Sequence, residues 1–191
     1  MSRTSLAVDE KIAKQLATIA RERKMTLYAL VNEIMENAVA LLNEGADMRV
    51  ILNLWLVHRL LSEVDAVILP SDFMDDLIEK LYRHDPEKLL KRFYKLGQEV
   101  SALIKIYAKD LDQLIHLADT YAKYLPIKNL EIKYLGNITY EVGLIGIGNK
   151  IESTKCIMEF LKGLLDEYNI TIIEHNIARG IIHMKLKQDK Q

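Results

Sequence analysis

The chain has 191 residues, half of them hydrophobic and 28% charged, with a formal net charge of −1. That balance fits one or two soluble domains with a real core, and it excludes a long disordered chain or a global basic field, so any nucleic-acid site must be local. The single cysteine cannot form an internal disulfide, no apolar run reaches about 18 residues and no charged-then-apolar leader is present, so a cytoplasmic protein without a membrane span is expected.

Residues 2–8 alternate as a strand. Asp9 follows as an N-cap with Glu10 in the first turn, and Ile12, Leu16 and Ile19 recur at helical spacing. This helix should end near Arg23–Lys24. Thr26 is a second cap candidate, ahead of an apolar stripe of Leu30, Val31, Ile34, Met35, Ala38 and Leu42, with Gly45 as a stop. Met48 to about Glu63 reads as a third helix. Residues 64–70, VDAVILP, read as strand or connector. A helix capped by Ser71 or Asp72 follows, then one with Pro86 in its first turn, then one that stops before Pro126.

Beyond that point the period changes to two. Residues 129–135 and 138–147 read as strands joined by a Gly136–Asn137 turn. Ile151 to Tyr168 reads as a helix. Residues 169–177 and 180–187 read as two more strands around a turn at 178–180. The fold class is therefore α+β, divided into residues 1–46 and 47–191.

The segment RTSLAVDEKIAKQLATIARERKMTLYALVNEIMENAV resembles the ribbon-helix-helix family of DNA-binding proteins, of the Arc, MetJ and CopG type. The resemblance implies that two chains pair their strands as an antiparallel ribbon in the major groove of a palindromic operator. Alternation turns Thr4, Leu6 and Val8 toward the helices and Arg3, Ser5 and Ala7 outward. The resemblance then makes Arg3, Ser5 and Ala7 the base contacts, with the Arg3 fork suited to guanine. It makes the N-terminus of the second helix a phosphate site, formed by the Thr26 hydroxyl and the backbone of Leu27 and Tyr28. Lys11, Lys14 and Lys24 would add phosphate attraction. Lys24 stands in the inter-helix turn where family members usually have glycine. Residues 1–46 hold six basic and six acidic side chains, and all the basic ones precede residue 25.

Three later segments resemble the 4-vinyl reductase-type domain, a relative of the TRAPP-component and nitric-oxide-signalling ligand-binding fold. They are FYKLGQEVSALIKIYAKDLDQLIHLADTYAKYL, CIMEFLKGLLDEYNITIIE and HNIARGIIHMKLK. The resemblance covers about residues 50–187 and implies a small hydrophobic effector. It puts Ile173, Asn176 and Met184 at the family's zinc-ligand positions, where none can replace a thiolate or carboxylate, so neither zinc nor any other cofactor is expected. Cys156 is read as a small buried hydrophobe. Gly97 and Gly163 fall inside helices, where glycine costs about 1 kcal/mol against alanine; close helix packing or room for a ligand would account for them. Trp55, Phe93 and Tyr94 are candidate pocket or core residues.

His175 and His183 flank the last hairpin. With a three-residue turn they would sit opposite one another as weak metal candidates; with a two-residue turn they would not. The sequence VGLIGIGNK (142–150) invites a phosphate-loop reading, but its glycine spacing is the reverse of the dinucleotide fingerprint. No catalytic constellation is legible, and Asp72, Asp75 and Asp76 fit a helix's first turn. The expected function is a dimeric, sequence-specific transcription regulator. The alternatives are an antitoxin-like autoregulator bound to a protein partner, and a metal-binding protein or enzyme that uses the N-terminal module only to dimerise. The Ile, Lys, Glu and Tyr bias is of a thermophile kind.

Overall fold

A computed structural model describes residues 5–63, 65–122 and 127–188. It divides into two compact units, Met1–Leu52 and Asn53–Gln191.

In the first unit local caps set the helix ends. The Asp9 carboxylate accepts the amides of Lys11 at 2.8 Å and Ile12 at 3.4 Å, starting α1 (Glu10–Glu22). The helix ends where Lys24 turns left-handed, at φ +55°. The amides of Lys24 and Met25 then donate back to the carbonyls of Arg21 and Ala20, each at 3.0 Å, which is a Schellman motif. Thr26 Oγ1 accepts the Ala29 amide at 3.1 Å and caps α2 (Leu27–Asn43). Gly45, at φ +79°, closes α2 in the same way, with the Ala46 amide on the Leu41 carbonyl at 3.0 Å.

Among the described residues the two helices bury only Ala20 and Leu30, the latter 1% exposed. Ile12, Ile34, Met35, Val39 and Leu42 face solvent. The expected strand differs: Ser5–Val8 has no regular secondary structure in the single chain. Leu6 is 67% and Val8 54% exposed instead of covered by the helices. Among the described residues no strand of the chain lies beside them, so they have no hydrogen-bond ladder to join.

The second unit begins within α3 (Met48–Glu63). Residues 65–70 are a connector, not a strand, leading into α4 (Ser71–His84). The expected side-chain cap of α4 is not formed: Pro70 holds the N-cap position, and Ser71 and Asp72 lie inside the first turn. Asp85 caps α5 (Pro86–Ile104) by accepting the Lys88 amide at 3.0 Å, with Pro86 at the first helical position. Asp110 caps α6 (Leu111–Tyr121) through the Gln113 amide at 2.8 Å.

The rest of the unit runs β1 (Asn129–Gly136), β2 (Thr139–Ile145), α7 (Ile151–Asp166), β3 (Ile170–Ala178) and β4 (Ile181–Gln188). The sheet is antiparallel throughout, in the order β1-β2-β4-β3. Strand alternation presents Val142, Leu144, Ile182, Met184 and Leu186 to one face, where they join Met158, Leu164 and Leu165 of α7 and Leu111 and Leu114 of α6. The opposite face carries polar pairs such as Lys133 with Glu141 and Glu141 with Lys185.

The first hairpin turn differs from its expected position, and the second is the two-residue form of the turn expected around 178–180. The first hairpin turns at Asn137–Ile138, both left-handed at φ +51° and +54°, one residue later than Gly136–Asn137. Two consecutive positive φ angles give the twist a two-residue hairpin needs, although isoleucine adopts them at a cost. In the second hairpin Ala178 pairs with Ile181, so the turn is Arg179–Gly180 alone.

Helix α5 lies directly on α7. A Cβ added to Gly97 would come 2.0 Å from the Phe160 carbonyl oxygen. A Cβ added to Gly163 would come 2.0 Å from the Tyr94 carbonyl oxygen. Each glycine thus admits the other helix's backbone. One turn on, buried Ser101 donates to the Leu164 carbonyl at 3.2 Å. Close packing, not room for a ligand, accounts for the two helical glycines.

Candidate nucleic-acid interface

The first unit holds the expected DNA contacts. Arg3 lies outside the described residues. Ser5 and Ala7 are exposed immediately before α1. At the start of α2 the Thr26 hydroxyl is already engaged with the Ala29 amide, and the first intrahelical bond runs from the Leu30 amide to the Thr26 carbonyl at 3.1 Å. The amides of Leu27 and Tyr28 precede that bond, at the positive end of the helix dipole, where an anion is favoured. Both side chains are exposed.

The three lysines differ in situation. Lys14 pairs with Glu10 at 2.5 Å across one helical turn, which offsets its charge. Lys11 is exposed in the first turn of α1, and Lys24 is exposed in the left-handed turn two residues before Thr26. Lys24 and the first turn of α2 are therefore adjacent in the chain. The six basic side chains of residues 1–46 all precede residue 25 with three acidic ones, and the other three acidic ones follow in and after α2. The neutral total conceals a basic first half.

The second unit brings none of the expected metal candidates together. The two-residue turn pairs His175 with Met184, and His183 with Asn176 and Gly143. Alternation puts the two histidines on opposite faces of the sheet. His183 Nε2 instead lies 3.2 Å from Glu141 Oε1. The positions matched to family zinc ligands also diverge: Ile173 sits in a β-bulge, Asn176 is exposed and Met184 is buried. Among the described residues no group of three His, Cys, Asp or Glu is arranged to hold a metal. Cys156 is fully buried, and burial pushes its thiol up to about 11.

The sequence alone did not reveal the role of the α4 carboxylates. Asp75, 3% exposed, accepts the Asn149 amide at 2.7 Å. Asp72 accepts the Asn149 side-chain amide at 2.9 Å. Lys150 Nζ lies 2.5 Å from both Asp76 and Glu79. The hydrogen bonds from Lys150 hold both carboxyls below their ordinary range and raise the Lys150 ammonium. These residues pin the 146–150 loop to α4. They also rule against a phosphate loop: the Asp75 carboxylate occupies the region before α7 where a phosphate would sit, with Oδ1 3.3 Å from where a Gly148 Cβ would be. The spacing 72, 75, 76, 79 was a visible signal of a carboxylate-rich helix face, but its partners lie more than seventy residues away.

Of the aromatic candidates, Trp55 is exposed, and Phe93 and Tyr94 are half-buried. The Tyr94 hydroxyl donates to Asp166, fixing it to the end of α7. No helix of the described residues is long and apolar enough to cross a membrane. Comparisons with family models, curated proteins and solved structures found no match.

Proposed function

We propose that the protein is a dimeric, sequence-specific DNA-binding transcription regulator. One observation carries the reading. The first unit has two well-capped helices but, among the described residues, buries only Ala20 and Leu30, leaving Leu6, Val8, Ile12, Ile34, Met35 and Val39 exposed. A module of this size cannot be stable on two buried side chains. A second copy that interleaves with it would cover those residues and supply the ladder for residues 2–8. The resemblance to ribbon-helix-helix proteins supports the same arrangement, and the left-handed Lys24 supports the short turn between the helices that it requires.

In the resulting complex Arg3, Ser5 and Ala7 face the bases of a palindromic operator. The start of α2 at Thr26, Leu27 and Tyr28 meets a phosphate, with Lys11 and Lys24 beside it. The second unit strengthens the dimer and responds to a small apolar effector. An effector that favours one spacing of the two ribbon modules would change their fit to the half-sites.

A gel shift on the protein's own promoter tests the reading, with Arg3→Ala alongside. The wild type should bind one fragment specifically. Arg3→Ala should lose about 1–3 kcal/mol of discrimination at that site and keep its nonspecific binding. No specific binding to any promoter fragment would refute the proposal.

A further inference from the structure

Strand β1 is an edge of the sheet, with no strand beyond it among the described residues. Its backbone groups alternate in direction. The Ile145 carbonyl points toward β1, where it accepts the Lys128 amide at 2.9 Å, and the Gly146 amide points the other way, to the Gly180 carbonyl at 2.8 Å. Ile145, Gly143 and Glu141 of β2 therefore bond toward β1, and their partners Asn129, Glu131 and Lys133 bond back. That directs the amides and carbonyls of Leu130, Ile132 and Tyr134 at the open edge. The other edge, β3, is blunted by a bulge between Ile172 and Glu174, whereas the ladder of β1 runs regularly from Asn129 to Tyr134.

We infer that β1 pairs antiparallel with β1 of a second copy, about a twofold axis at Ile132, so that the two sheets become one. Charge selects this partner and this register. The charged side chains of β1 are Glu131 and Lys133, both exposed on the polar face. Across that face Glu174, Lys185, Glu141 and Lys133 alternate in sign from strand to strand, and the alternation stops at Lys133. Glu141 already holds His183 at 3.2 Å, and Lys133 is in no ion pair among the described residues. Glu131 accepts the neutral Asn129 side-chain amide at 2.8 Å, which leaves its charge unmatched. In the twofold register Glu131 of each chain stands opposite Lys133 of the other and continues the alternation, twice over. An axis at Glu131 or at Lys133 would oppose like charges, and one at Leu130 or Tyr134 would match neither. On the core-side face the same register sets Ile132 against its own copy and Leu130 against Tyr134, which is 60% exposed in the single chain. Strand β3 offers no such match, since Glu174 has no lysine or arginine on its strand.

Magnitude decides how the contact works. An edge of residues 130–134 offers less than the roughly 800 Å² per partner of a stable interface. The edge pair therefore does not join two free chains. It closes within a dimer already held by the N-terminal module, where tethering supplies an effective concentration of about millimolar order. To that extent the inference rests on the dimer reading above.

Amide hydrogen exchange of the full-length protein, read by nuclear magnetic resonance, tests it. In the wild type the amides of Leu130, Ile132 and Tyr134 should be protected about as well as those of Glu131 and Lys133, which bond to β2. Lys133→Glu sets acid opposite acid, so the three edge amides should exchange at least about tenfold faster while the Glu131 amide keeps its protection. Adding Glu131→Lys to Lys133→Glu swaps the charges and should restore the edge protection, with circular dichroism confirming the wild-type fold in each variant. Free exchange of the edge amides in the wild type, or protection that Lys133→Glu leaves unchanged, would overturn the inference. A swapped variant that stays unprotected would overturn the register at Ile132. Sedimentation of the wild type separates the two readings. A dimer with freely exchanging edge amides defeats only the β1 contact; a monomer defeats the dimer reading as well.

Discussion

Gly97→Ala should destabilise the second unit, although the same change in an exposed helix would stabilise it. Two effects compete. Alanine is favoured over glycine in a helix by about 1 kcal/mol. The new Cβ, however, would lie 2.0 Å from the Phe160 carbonyl oxygen and 2.9 Å from the Leu164 amide nitrogen. Both are backbone atoms of α7, so no rotamer change can relieve the contact. Restoring ordinary van der Waals separation requires the helices to part by more than about 1 Å, which loosens the Ser101–Leu164 bond and the packing around it. Overpacking of a well-packed core costs about 1–3 kcal/mol and at times more. The clash outweighs the gain in helix propensity, so a net loss of about 1–2 kcal/mol or more is expected. Gly163→Ala should behave alike, because its Cβ would meet the Tyr94 carbonyl oxygen at 2.0 Å. The double variant should cost less than the sum, since one separation of the helices relieves both contacts. Urea unfolding followed by circular dichroism measures all three. A neutral or stabilised Gly97→Ala, or strict additivity of the pair, would refute the close crossing of α5 and α7.

Lys24→Gly should stabilise the N-terminal module by about 1 kcal/mol, measured by thermal melting, because glycine accepts the left-handed turn without a Cβ penalty. The same change should lower the salt dependence of DNA binding if Lys24 contacts a phosphate. Thr26→Ala removes the cap on the Ala29 amide and should cost about 0.5–2 kcal/mol in the same melt. The Lys150 clamp predicts a pH window. Asp76 and Glu79 are held below their ordinary values of 3.8 and 4.5, so their contribution is present above those values and fades as pH falls below them. Lys150 is raised above 10.5, so the same interaction persists until alkaline pH deprotonates it. Lys150→Met should therefore be less stable than wild type near neutral pH, and the difference should shrink in urea titrations taken toward pH 3. A constant difference would show that the ion pairs do not carry it.

Features that depend on neighbours a few residues apart were legible in the chain alone. Asp9 and Thr26 could be read as caps because each bonds an amide two or three positions on. The helices and strands showed in their periods, because one buried face demands period 3.6 or period 2. The α+β class followed from that change of period. The turn positions were not legible: whether Gly136–Asn137 or Asn137–Ile138 reverses the chain depends on which residues the ladder pairs, and several registers share one hydrophobic alternation. The separation of His175 from His183 was set in the same way, by the pairing of Ala178 with Ile181. The three-dimensional packing was needed to show that Gly97 and Gly163 face each other's helix backbones, and that Asp75 fills the space before α7. Those roles join residues more than sixty positions apart, and no local preference of the chain records which distant partner a glycine or a carboxylate will meet.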